Sequence, residues 1–351
     1  MSDKLLTDAD EQTAVLDAPP EPLPPAAEER SLWRRIAGLN ELGVIVALAT
    51  MVVFIGAFHP GFFAAESFVN ISRQAAFFGI MALGMVFLLA MCEIDLSVGG
   101  IYGVTIIGAA ILIRDGWDPW LGAGAGILIG VALGAVNGLL ANGLKISTIV
   151  VTLGSLSMFR GLALVLSDGQ PIVGLPREEA FFRIFGGDLF GIPAIVWSFA
   201  VLTVLLTALF RFTRFGFLVR SIGSNEQAAR LSGMPIARVR LLVLMLVGGL
   251  CGISGMLTLA FFQSADPSNG IGYELLVIAA AIIGGTSLAG GSGTVFGALI
   301  GAFVIATITS GLVQFGVTAN WTSFVTGAVI IGAVALDAVI RRRRADGLQR
   351  T

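Results

Sequence analysis

Apolar residues run in ten long stretches along this 351-residue chain, each closed by charges, Pro or Gly. They cover about residues 42–58, 70–91, 97–113, 120–142, 147–166, 193–210, 240–262, 273–288, 294–314 and 320–340. A helix needs about 20 residues to cross the hydrocarbon core of a bilayer. Backbone in lipid must also bond internally, so each stretch predicts a membrane helix. Several stretches are shorter than that length, which predicts broken or tilted helices. The expected fold is all-α, a polytopic membrane bundle of about ten transmembrane segments.

Composition agrees. The chain is 56% apolar and 13% charged, with a mean hydropathy of +0.91, against about 45–50% apolar and about 25% charged in soluble domains. Too few polar residues are present to cover the two soluble domains this length would otherwise form. The 46 glycines fit as well, because Gly is commoner in membrane helices than in soluble ones.

Charge sets the organisation. Residues 1–30 hold eight acidic residues and five of the 12 prolines, clustered in PPEPLPP. Low hydrophobicity with Pro and charge predicts a disordered acidic tail over 1–35. It is followed by a membrane domain over 36–341 and a basic tail over 342–351. The net charge of −2 gives no reason to expect nucleic acid as a partner. Placing the N-terminus inside puts 16 of the 21 Lys and Arg residues on the cytoplasmic side and four outside, with Arg160 within a segment. That bias predicts both termini in the cytoplasm.

Three places depart from plain lipid-facing helix. MCEIDLSVGG, 91–100, puts Glu93 and Asp95 between apolar stretches. Ionisable groups there are costly and face a polar interior. Asp95 reads either as the N-cap of the next helix or as part of a broken helix lining a pathway. In 282–303, Gly293, Gly297 and Gly301 recur every fourth residue, a pattern for close helix contact. In the loop 211–240, Ser224 followed by Gln227 reads as a capping box for a short helix over about 225–232, stopped by Gly233 and Pro235. With only Ala228, Ala229 and Leu231 as its apolar residues, that helix suits docking to a protein better than lying on lipid.

No chemistry of its own is legible. The chain has no Walker A pattern, nucleophile elbow or H-E-x-x-H motif. The lone His59, and Cys92 and Cys251 without C-x-x-C spacing, give no metal site or disulfide framework. The expectation is no enzyme, no catalytic residue, no metal and no bound cofactor; any ATP must be hydrolysed by another chain.

Four motifs then converge: EIDLSVGG at 93–100, TLGSLSMFRGLALVLSDGQPI at 152–172, SIGSNEQAARLSGM at 221–234 and GYELLVIAAAIIGGTSLAGGSGT at 272–294. In this order they resemble the permease subunit of bacterial ABC importers of the ribose/xylose/galactose type, over about residues 40–340. The resemblance implies a multi-pass protein of the bacterial inner membrane that homodimerises around a central pathway. It implies a periplasmic substrate-binding protein outside, a sugar as substrate, and an ATP-binding subunit inside that holds the ATP and magnesium. It also implies that Ser224, Asn225, Glu226, Gln227, Ala229, Arg230 and Gly233 form or support the helix that docks the ATPase. This chain departs from the pattern at Cys92-Glu93, where Gly-Gly is common, and at Leu276, where Asp is common, so no particular sugar transfers.

Polar residues on the glycine-rich segments, Ser97, Asn137, Thr152 and Ser155, are expected either to line the pathway or to bond between helices. Arg160 either snorkels to the outer interface or pairs with a carboxylate, Asp168 or Glu274. Asp95, Arg160 and Glu274 complete the expected pathway and gate residues. Branched-chain amino-acid permeases of the same superfamily are the nearest rival, and their charged substrates would have only Arg160 as an intramembrane cation. An ion-coupled secondary transporter would rely on Glu93 with Asp95.

Overall fold

The computed structural model describes residues 40–318, with 321, 324, 325, 327, 328, 331 and 332. The predicted tails at 1–35 and 342–351 and most of the tenth stretch lie outside the described residues. The order of elements is α1 (Asn40–Phe58), α2 (Ala65–Ala90), α3 (Val98–Arg114), α4 (Pro119–Leu144), α5 (Thr148–Leu166) and α6 (Ala180–Phe185). A two-stranded turn follows, β1 (Asp188–Leu189) paired antiparallel with β2 (Ile192–Pro193). Then come α7 (Ala194–Phe212), α8 (Arg214–Ser224), α9 (Glu226–Leu231), α10 (Ile236–Phe262), α11 (Tyr273–Ile283) and α12 (Val295–Gln314). Nine of the ten apolar stretches coincide with helices. Six of these, α2, α4, α5, α7, α10 and α12, are long and apolar enough to cross a membrane. The apolar parts of α1, α3 and α11 are shorter.

Two helices form the centre. The spanning windows of α2 and α10 are 83% and 72% buried, whereas those of α4, α5 and α7 are about a third buried or less. The outer helices turn large apolar side chains outward, among them Leu128 and Leu139 on α4, Met158 and Val165 on α5 and Val204 on α7. A face of that size in water would drive association, so it calls for lipid or a partner.

Close backbone contact sets the register. Helices α4 and α10 run antiparallel, with Asn142 Nδ2 donating to the Ala237 carbonyl (2.7 Å) at one end and Gly126 against Met256 at the other. Between them, a Cβ at Gly130 would collide with the Gly248 carbonyl, and one at Gly134 with the Leu244 carbonyl. Small residues let membrane helices approach this far. The Gly297 and Gly301 spacing does the same for α12, which meets α11 at Gly284 and Ala280, as the sequence pattern predicts.

Two helices begin inside the bundle. After α2, Cys92 takes a positive φ of 60°, and α3 starts only at Val98. After α10, Gln263 at φ 54° ends the helix, and α11 starts at Tyr273. The same turn precedes each start. Asp95 Oδ1 accepts from the Ser97 amide (2.7 Å) and hydroxyl (2.6 Å), and Asp266 Oδ1 from the Ser268 amide (2.8 Å) and hydroxyl (2.6 Å). The Ser268 bonds hold the Asp266 carboxyl below its ordinary range. The two starts meet: a Cβ at Gly99 would strike the Gly270 carbonyl and Glu274. Because α4 and α10 are antiparallel, these segments enter from opposite ends of the bundle.

Candidate functional site

The meeting point of α3 and α11 carries an ion pair. Arg160, on α5, donates through Nη2 to both carboxyl oxygens of Glu274 at 2.9 and 3.1 Å. Its side chain is 33% exposed and that of Glu274 12%. Glu274 lies in the first turn of α11, where the unpaired amides of a helix start favour an anion. Arg160 Nε is buried without a partner. Of the two expected partners the structure selects Glu274; Asp168 sits beyond α5 at φ 51° and makes no ion pair among the described residues.

Beside this junction runs a chain of buried hydroxyl, amide and carboxyl groups. Ser155 Oγ donates to Asn137 Oδ1 (2.6 Å), Asn137 Nδ2 to Ser97 Oγ (2.8 Å), and Ser97 Oγ to Asp95. Thr152 Oγ1 accepts from the Leu96 amide (3.1 Å). Asp95, Ser97, Asn137 and Thr152 are fully buried and Ser155 nearly so. The bonds tie together α4, α5 and the segment that leads into α3. One correction concerns Asp95: it is not the N-cap of α3, because Ser97 holds that position and Asp95 closes the turn before it. Its other oxygen, Oδ2, is buried and unbonded.

Toward the α9 end of the bundle, Glu93 accepts from Arg240 Nε through one oxygen and from Thr148 Oγ1 through the other. Arg240 also donates to Asn142 (3.1 Å). Four elements thus meet at Glu93: the segment after α2, the ends of α4 and α5 that adjoin each other, and the first turns of α10. Nothing in the sequence pattern singles out this cluster. The 147-residue separation of the two charges hides their pairing.

The α8–α9 hairpin packs against the same region. A second correction falls here: Ser224 and Gln227 form no capping box. Ser224 ends α8, and Asn225 caps α9 by accepting the Ala228 amide (2.9 Å) through Oδ1. The expected stop at Gly233 is present. Gly233 has φ 74°, its amide bonds the Arg230 carbonyl, and the Met234 amide bonds the Ala229 carbonyl, which is the paired-bond ending that favours glycine. Glu226 and Arg230 pair on the open face (2.7 Å), with Asn225, Gln227 and Leu231 exposed beside them. Ala229 is buried and seats the helix against the bundle. Behind the hairpin, Gly223 lies so close to the Ala90 carbonyl that no side chain fits. Cys92 Sγ donates to the Gly223 carbonyl (3.5 Å), and the Gly291 amide to the Ala90 carbonyl (2.9 Å). Three of the four motifs therefore converge at one end of the molecule.

Residues 67–334 match the family described as the permease component of the branched-chain amino acid transport system. This chain belongs to that permease family. Among its relatives, the ribose import permease protein RbsC of Bacillus subtilis is 38% identical over 299 residues, 85% of this chain and 93% of that one. The D-allose transport system permease protein AlsC of Escherichia coli is 34% identical, covering 86% and 93%. The L-arabinose ABC transporter permease protein AraH of Azospirillum brasilense is 31% identical, covering 93% and 95%. As a permease component the chain moves a solute and is not itself an enzyme. Its junction, polar chain and hairpin are accordingly parts of a carrier.

Proposed function

We propose that this permease is the membrane subunit of an ATP-driven importer that passes a pentose, a hexose or a related polyol across the bacterial inner membrane. The chain crosses the bilayer about ten times, with both termini in the cytoplasm, and works as a pair of identical copies. A periplasmic binding protein delivers the solute outside, and a separate ATP-binding subunit docks on the α8–α9 hairpin. The sugar relatives support this reading against a branched-chain amino acid.

The observation that carries it is the state of Arg160. A free intramembrane cation would favour the carboxylate of a zwitterionic substrate, and Arg160, the one the sequence offers, is already paired with Glu274. Glu93 is likewise engaged by Arg240, which weakens an ion-coupled carrier built on Glu93 with Asp95. The test is uptake into proteoliposomes holding the permease with its ATPase and binding protein, using D-ribose, L-arabinose, D-allose and L-leucine. ATP-dependent uptake of a sugar and none of leucine is expected. Leucine uptake, or proton-driven uptake by the permease alone, would overturn the reading.

A further inference from the structure

We infer that Glu93 and Arg240 are a positioning pair that carries movement of the α8–α9 hairpin to the start of α3 inside the bundle. The inference rests on the importer reading above and adds a residue pair to it. Helix α9 and the first turn of α10 are joined without slack. The Met234 amide bonds back to Ala229, the Ile236 amide to the Met234 carbonyl (2.9 Å), and α10 begins at Ile236. Arg240 stands on the next turn, so its guanidinium follows α9.

Arg240 holds Glu93, which belongs to the only non-helical piece between α2 and α3. From Glu93 the chain lies along α5, bonded at Thr148 and again, one helical turn on, where the Leu96 amide meets Thr152. Two residues past Leu96, α3 begins beside Glu274 and Arg160. An unbroken sequence of bonded groups thus links the hairpin to the centre. The link is charged where it crosses from α10 to the segment, and there it is largely shielded from solvent (Arg240 21% and Glu93 11% exposed). A shielded charge pair is held far more firmly than an exposed one. The hairpin also touches this region at Gly223, which packs against the Ala90 carbonyl at the end of α2 and accepts a long bond from Cys92 Sγ (3.5 Å). The packing resists compression and a thiol is a weak donor, whereas the ion pair transmits both push and pull.

The test uses the complete importer in proteoliposomes, with whichever of D-ribose, L-arabinose or D-allose the wild-type complex takes up. Glu93→Gln, Arg240→Gln, the double variant and Arg240→Lys are compared for ATPase co-purification, ATP hydrolysis and sugar moved per ATP. Each single Gln variant should keep the ATPase bound and hydrolysing. Sugar moved per ATP should fall about tenfold, the scale of losing a bond to a charged group. The double variant should be no worse than either single one, the non-additivity expected of a pair. Arg240→Lys, which keeps the charge, should recover most of the ratio. Unchanged ratios, additive losses, or failure of Arg240→Lys to assemble would overturn the pair as a transmitter. Absence of uptake by the wild-type complex would instead strike the importer reading.

Discussion

Replacing Arg160 with Leu removes the cation from a junction that three helices share. Glu274 would keep its place in the first turn of α11, mostly out of solvent, with no positive partner. Deleting one member of a buried pair costs about 3–5 kcal/mol. Arg160 is a third exposed, so screening removes roughly half of that. The start of α11 returns about 0.5 kcal/mol by favouring the anion. About 1.5 kcal/mol remains, which corresponds to a fall of roughly 2 °C in the unfolding temperature of a chain this size. Thermal unfolding in detergent, followed by size-exclusion of the surviving fraction, measures it. Adding Glu274→Gln to Arg160→Leu should restore most of the loss, because the stranded charge is then gone. Arg160→Lys should lie between wild type and Leu, since it keeps the charge but not the guanidinium Nη2 that reaches both carboxyl oxygens. An Arg160→Leu protein as stable as wild type, or a double variant less stable than the single one, would refute the structural pair. A normally assembled Leu variant that fails only in transport would place Arg160 in the gate.

Three further outcomes are expected. Gly233→Val should uncouple transport and weaken ATPase co-purification, because a β-branched residue resists φ 74°. Gly233→Asn should be mild, since the space around that position is open and Asn tolerates the left-handed region; equal behaviour of the two would disprove the cap argument. Gly223→Ala should be worse than Gly233→Asn in the same co-purification assay, because its Cβ meets the fixed carbonyl of Ala90. Asn137→Leu should cost about 1–3 kcal/mol of thermal stability by leaving the Ser155 hydroxyl without its acceptor and Ser97 without its donor, and an unchanged unfolding temperature would show that the buried chain is not what holds these helices.

The helices were legible because a bilayer demands long apolar runs, and this chain supplies them with charged or glycine-rich ends. Contacts within a few residues were legible in part. The stop at Gly233 follows from one residue type with one preferred φ. The cap of α9 did not, because Ser224 and Asn225 are both good caps and a shift of one residue separates them. What stayed hidden was pairing across the fold. Nothing near Arg240 distinguishes it from Arg238, two residues away and exposed. Only the antiparallel register of α4 and α10 turns Arg240 toward Glu93, and that register is set by close approach at Gly130, Gly134 and Gly248. The same holds for the polar chain. Ser97, Asn137 and Ser155 were each recognisable as costly in lipid, which narrowed them to pathway or packing. The choice between those roles depends on whether three separate helices bring them within hydrogen-bond distance. A membrane sequence thus specifies which groups cannot face lipid, and the glycine-set distances between helices decide what they face instead.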